Sequence, residues 1–346
     1  MQGQRINGYS FKRRIQSGGF SHVYEALSEA LGIPVAVKVL PATTLRLERA
    51  RQHLSNELRA LRILRHPNIV RLIENFSNNE AIFIVMEFAA DGDLHDAAAR
   101  GLEEGAAREI FRQMARAVEF CHMSGVAHRD IKLENFVMHE GVVKLADFGL
   151  AALCAENGFE PLRLNCGTVK YADPELLRGR PYAGEVADVW SLGVALYALL
   201  AGRPPFDSLE QPSLVLQRIQ ARRFELPQHA SPGARDLLQR LLEPAVPHRL
   251  SLAELKAHPW FLGEQLPLYL DHRLALEQSA ASRYALPNCD AQRAPLHAME
   301  LNSRYAAELR APPCFVFRAL ERRSFGEAAE RLRAALNRLY LSSRPG

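Results

Sequence analysis

The chain has little of what marks secreted, membrane-spanning or nucleic-acid-binding proteins. Its five cysteines, Cys121, Cys154, Cys166, Cys289 and Cys314, are odd in number and include no CxxC pair, which argues against a disulfide framework and against a zinc site. A reducing compartment is the default, so an intracellular location, cytoplasm and/or nucleus, is expected. The N-terminal stretch MQGQRINGYSFKRR lacks the apolar core of a secretory leader, so secretion is not expected. The most apolar helix candidate, Val189 to Ala201, is thirteen residues long. A bilayer span takes roughly 17 to 25, so this stretch reads as a core helix, apolar all round, and no membrane span is expected. Charge of one sign is scarce too. The 43 Lys and Arg against 39 Asp and Glu leave a formal +4, too small and too scattered to indicate nucleic acid as a partner.

What is present is length and pattern. A chain of 346 residues can bury a sizeable core and fits two lobes with a tail. Up to about residue 86 the apolar pattern is short and alternating, apart from one helical stretch between Leu45 and Leu64, which predicts a small sheet carrying one helix. From Asp91 to about Phe261 the pattern is mainly helical, divided by Gly and Pro clusters such as Gly202-Arg203-Pro204-Pro205. Residues 87–90 between them read as a hinge. Residues 262–297 read as a linker, rich in small and polar residues from Glu277 to His297. The tail, 298–346, holds one clear amphipathic helix with Ala328, Leu332, Leu336 and Leu339 on a stripe. That helix either docks on the larger lobe or belongs to a small regulatory domain.

In the run Val35-Ala36-Val37-Lys38-Val39-Leu40 the valines share one face of a strand, and Ala36, Lys38 and Leu40 share the other. Alone, Lys38 reads as a lysine that snorkels to water. The following helix changes this. Leu54, Leu58 and Leu61 mark a buried stripe, and Glu57 falls inside it. A buried, unpaired carboxylate costs several kcal/mol, so Lys38 on the facing strand is its expected partner, unless Glu57 lies at the edge of the stripe in water. The segment Ile15 to Tyr24 reads as two strands around Gly18 and Gly19, either an ordinary hairpin or a loop whose N–H groups approach phosphate.

The strongest local signal is His128-Arg129-Asp130-Ile131-Lys132-Leu133-Glu134-Asn135. Two short strands follow, Phe136 to His139 and Val142 to Ala146, joined at Glu140-Gly141, and this hairpin returns Asp147 close to Asn135. An amide oxygen and a carboxylate converging there suit Mg²⁺, which keeps few protein ligands beside phosphates. Asp130 lies within reach as a base, and Lys132 can neutralise charge on a transferred group.

With these residues in order, the chain from Tyr9 to Phe261 resembles the eukaryotic protein kinase domain. Asp147-Phe148-Gly149, Gly167-Thr168, Asp173-Pro174-Glu175, Asp188-Val189-Trp190-Ser191-Leu192-Gly193 and Arg249 complete the match. The resemblance implies an α+β bilobal fold, with a small antiparallel sheet lobe at about 9–86, a hinge at 87–90 and a larger, mainly helical lobe at 91–261. It implies ATP and Mg²⁺, with Lys38 on the phosphates and paired to Glu57, Asp130 as base, and Asn135 and Asp147 on the metal. Ile15, Gly18, Val23, Ala36 and Val137 would enclose the nucleotide. Met86 would be the gatekeeper, the backbones of Glu87 and Ala89 would bind adenine, and Asp93 would face the ribose. Leu61, Leu72, Phe148 and His128 would form an apolar column, and Glu175 with Arg249 a buried brace. Lys132 and Thr168 are similar to the serine/threonine pattern, so the expected substrates are proteins with Ser or Thr acceptors; a regulatory partner would act through the tail if its helix belongs to a regulatory domain rather than docking on the lobe. HRDIKLEN, LLAGRPPFD and His258-Pro259-Trp260-Phe261 resemble the calcium/calmodulin-dependent group, on its AMP-activated and microtubule-affinity-regulating branch. The alternative reading is a pseudokinase scaffold.

The sequence departs from the family pattern in three places. Gln16 and Ser21 replace the first and third loop glycines. Asp173 replaces an alanine, which would put a charge near the peptide-binding surface. The loop from Leu150 to Cys166 contains no Ser, Thr or Tyr, and Leu164 stands where a phosphothreonine is expected. Activation without loop phosphorylation is therefore expected, with Glu156 or Glu160 offering charge to Arg129.

Overall fold

The computed structural model describes residues 1–19, 21–153, 168–206, 211–222 and 224–263. The 262–297 linker beyond Gly263, the tail helix, and Glu156, Glu160 and Leu164 lie outside the described residues.

The first strands are β1 (Arg5–Ile6), β2 (Tyr9–Ser17), β3 (His22–Ser28) and β4 (Ile33–Pro41), followed by helix α1 (Glu48–Ile63), β5 (Leu72–Ser77) and β6 (Ala81–Glu87). They make a six-stranded antiparallel sheet in the order β1-β2-β3-β4-β6-β5. The alternation in β4 is realised physically. Val35, Val37 and Val39 pack with Phe11, Phe83 and Val85 in one core layer, while Lys38 and Leu40 are buried on the opposite face. Helix α1 buries Ala50, Leu54, Glu57, Ala60 and Leu61, so the predicted stripe, glutamate included, faces inward.

The second lobe contains α2 (Leu94–Ala97), α3 (Glu104–Met123), β7 (Val126–Ala127), β8 (Phe136–His139), β9 (Val142–Leu145), β10 (Ala152–Leu153) and α4 (Pro174–Leu177). It continues through α5 (Gly184–Ala201), α6 (Pro212–Gln220), α7 (Pro232–Leu241), α8 (Leu252–Ala257) and α9 (Pro259–Leu262). The β8–β9 hairpin turns at Glu140 and Gly141, whose φ values of 50° and 78° are the positive pair that a two-residue turn with matching twist requires. Local caps set several helix starts. Ser231 caps α7 ahead of Pro232, and Ser251 with Glu254 forms a capping box on α8.

Helix α5 begins five residues earlier than the apolar run suggested. Gly184, Glu185 and Asp188 interrupt the hydrophobic pattern without interrupting the helix. At 18 residues it is long and apolar enough to cross a membrane, but most of it is buried within the lobe. Gly193 is where α7 comes closest. A Cβ there would lie 2.8 Å from Leu241 Cβ and 3.2 Å from Leu242 Cδ2. Gly→Ala in a helix interior ordinarily gains up to about 1 kcal/mol. Here the clash reverses the sign, and Gly193→Ala should lower stability by about 1–3 kcal/mol in urea unfolding. An unchanged or raised midpoint would show that α7 can retreat.

Candidate active site

The site starts at Lys38. Its Nζ donates to Glu57 Oε1 at 2.6 Å and to Asp147 Oδ1 at 2.8 Å. Burial lowers the Lys38 pKa, but the two carboxylates outweigh it and raise the group above its ordinary value. Glu57 is pushed up by burial against the pull of Lys38. Asp147 is held well below the usual carboxylate range by the Lys38 charge, against the effect of burial. The ammonium is thus firmly charged and aimed by two acids from different elements.

Asp147 has a φ of 59° and its side chain is 47% exposed. Its Oδ1 also accepts from Gly149 N at 3.3 Å, which leaves Oδ2 open. The hairpin brings this residue back to Asn135, as Ala146 N donates to the Asn135 carbonyl at 2.8 Å. Asn135 is buried, and its Nδ2 donates to Asp130 O at 2.7 Å and to Asp130 Oδ2 at 3.0 Å. With its nitrogen so committed, Asn135 presents its amide oxygen. Asn135 Oδ1 and Asp147 Oδ2 are hard oxygen donors, the chemistry that fits Mg²⁺.

Asp130 is a convergence point. Lys132 Nζ lies 2.7 Å from its Oδ2, and the Thr168 hydroxyl donates to its Oδ1 at 3.2 Å while accepting from Lys132 at 3.0 Å. The loop carrying Asp130 is held from below. Asp188 in α5 accepts His128 N at 2.8 Å and Arg129 N at 2.7 Å, and Arg129 has a φ of 69°. The Arg129 Nε donates to the Tyr182 hydroxyl at 3.2 Å. Asp188 was legible only as part of a motif. A carboxylate inside an otherwise apolar helix was the signal that it holds something.

The nucleotide-enclosing candidates lie on adjoining elements. Val23 pairs with Lys38 across β3–β4, and Ala36 pairs with Met86 across β4–β6, so these residues share the Lys38 face of the sheet. Met86 is buried. Glu87 ends β6, and Ala89 follows it, half-buried. Asp93 bridges to Val137 on β8, and its carboxylate caps α2 by accepting Asp96 N at 3.0 Å. Ile15 and Gly18 are exposed, and Gly18 N donates to Ser21 O at 2.8 Å. In the expected apolar column, Leu61, Phe148 and His128 are buried, Leu72 is half-buried, and the His128 and Phe148 rings meet edge-on at 4.8 Å.

Two expectations fail together. Arg249 does not pair with Glu175. It pairs with Asp173, with side chains 1% and 2% exposed. Asp173 therefore places no charge on a peptide-facing surface, and Glu175 binds Arg178 and Arg180 locally.

A curled antiparallel sheet above a helical lobe, with a lysine–glutamate pair facing a loop that carries Asp, Lys and Asn, defines the bilobal kinase fold. The chain belongs to the protein kinase domain family, whose model matches residues 9–261. It is similar to CBL-interacting serine/threonine-protein kinase 8 of Arabidopsis thaliana, 36% identical over 270 residues, which are 77% of this chain and 60% of that one. It is also similar to SNF1-related protein kinase catalytic subunit alpha KIN12 of Arabidopsis thaliana, 38% identical over 268 residues, 77% of this chain and 53% of the relative. For sucrose non-fermenting protein kinase 1 of Fusarium virguliforme the identity is 38% over 270 residues, 77% of this chain and 38% of the relative. The chain thus matches at most 60% of the length of these three relatives. They bear out the resemblance to the calcium/calmodulin-dependent group and its AMP-activated-like branch.

Proposed function

We propose that this chain transfers the γ-phosphoryl group of Mg²⁺-bound ATP to Ser and Thr hydroxyls of proteins, without phosphorylation of its own activation loop. The observation that carries this reading is the meeting of two clusters, Lys38 with Glu57 and Asp147, and Asp130 with Lys132, Asn135 and Thr168. Lys38 holds the phosphates from above. Asn135 and Asp147 would hold Mg²⁺, which would neutralise phosphate charge. Asp130 orients the acceptor hydroxyl and takes its proton, and Lys132 sits beside it to stabilise charge on the group in transit.

Transfer of label from [γ-³²P]ATP to a Ser/Thr peptide library with Mg²⁺ tests the reading. A folded wild-type chain that transfers nothing to any acceptor would favour a scaffold instead.

Phosphate-independent activation is supported by the loop from Leu150 to Cys166, which has no hydroxyl to modify. In this reading the negative charge that a loop phosphate would bring to Arg129 comes from within the chain. Glu156 or Glu160 supplies it. Phosphatase treatment of the purified protein should leave its transfer rate unchanged. A loss of rate whose lost phosphate is traced by mass spectrometry to Thr168 or Tyr171, just beyond the loop, would overturn the idea.

A further inference from the structure

We propose that Asp173, rather than Glu175, is the carboxylate that holds Arg249 and so positions the acceptor side of the active site. The proposal rests on the kinase reading above. Arg249 is sealed in the large lobe. Its guanidinium stacks 4.9 Å over Trp190, Nε donates to Glu243 O at 2.9 Å, and Nη1 donates to Val186 O at 3.3 Å. Carbonyl oxygens alone leave a buried cation uncompensated. Asp173 Oδ2 provides the counter-charge at 2.5 Å. Its Oδ1 simultaneously caps α4 by accepting Glu175 N at 2.7 Å. One short acid therefore serves as helix cap and counter-ion, and the alanine of the family pattern could be neither. Glu175, 22% exposed, makes ion pairs within its own turn and just beyond, of the kind that contribute little.

Asp173 closes the segment that begins at Thr168. Between them, Tyr171 O accepts from Ser191 Oγ of α5 at 2.8 Å. Thr168, Tyr171 and Asp173 line a small cavity together with Arg129, Asp130 and Tyr182. If the Arg249 end of this segment loosens, the wall beside Asp130 shifts. Misplacement of about 1 Å in such a wall can cost on the order of 10²-fold in rate. The nucleotide is held by other residues, so its affinity should stay where it is.

Asp173→Asn keeps an oxygen for the cap and removes the charge, and Glu175→Gln makes the same change two residues on. Steady-state kinetics on the full chain should show kcat/KM for peptide reduced about tenfold or more in Asp173→Asn, with KM for ATP within about twofold of wild type. Glu175→Gln should leave both within about twofold. Equal losses in the two variants, or an ATP KM that rises in step with the peptide effect, would overturn the proposal. If Asp173→Asn fails to fold while Glu175→Gln folds, the buried charge is already assigned to Asp173. The double variant Asp173→Leu/Arg249→Met then supplies the kinetic arm, where peptide kinetics at the wild-type level would remove the positioning role. A wild-type chain without transfer sinks the kinase reading, whereas equal unfolding midpoints for Asp173→Asn and Glu175→Gln sink the assignment of Arg249.

Discussion

Asp130→Asn should lower phosphoryl transfer to peptide by about 10²- to 10⁴-fold, the range a positioned general base contributes, while nucleotide binding stays at the wild-type level. The surroundings of Asp130 explain why this substitution reports on chemistry. Its two oxygens accept from Lys132, Asn135 and Thr168. In the variant the amide oxygen can face Lys132 and Asn135, and the amide nitrogen can face Thr168, whose hydroxyl rotates to accept. The loop above is fixed independently by Asp188 through His128 N and Arg129 N. The fold should therefore persist, and the ATP-induced shift in unfolding temperature should match wild type. Transfer within tenfold of wild type would remove Asp130 from the base role.

Lys38→Met should have the second large effect, on activity and on stability, and its stability gap to wild type should widen from acid to neutral pH. With Lys38 in its proposed place on the phosphates, removing that donor should cost about 10²–10³ in kcat. Glu57 then remains 2% exposed without its cation. Breaking a buried pair from one side typically costs about 3–5 kcal/mol. Protonation offers Glu57 a way out, because burial already pushes its carboxyl up and the variant loses the opposing pull. A carboxyl raised above its unfolded value of about 4.5 destabilises the fold progressively as pH climbs past that value. The variant should therefore lie furthest below wild type near neutral pH and close the gap on acidification. Asp147 reinforces the convergence from the wild-type side. Its lowered carboxyl contributes stability above its unfolded value of about 3.8 and loses that contribution as pH falls. Because Asp147 is half exposed, this share is small beside that of Glu57. Urea melts of both proteins between acid and neutral pH would check the pattern, and a gap independent of pH would refute it.

Much of the site was readable from residue order because its chemistry depends on local periods. Alternation placed Lys38 opposite the valines of β4, the i, i+3 relation placed Glu57 among the leucines of α1, and a buried carboxylate demanded the ammonium found 2.6 Å away. The Glu140-Gly141 turn set the β8–β9 hairpin, and a two-residue turn leaves no freedom about where the chain returns, so Asp147 had to come back near Asn135.

Other features were decided only when the chain folded. Asp173 and Glu175 are two acids two residues apart, and composition and spacing alone do not say which one turns inward. The start of α4 decides, because a residue at the helix cap directs its side chain back toward the first turn and, here, into the lobe beside Arg249. Asp188 in the sequence is a charge interrupting an apolar run, which made α5 look five residues shorter than it is. In the structure, the same carboxylate accepts the two backbone N–H groups of His128 and Arg129. The sequence by itself determined which residues carry charge and which face of each element is apolar, since both follow from neighbours within a turn or two. Only the tertiary structure decided which distant partner each buried charge meets, because that pairing depends on how separate elements pack.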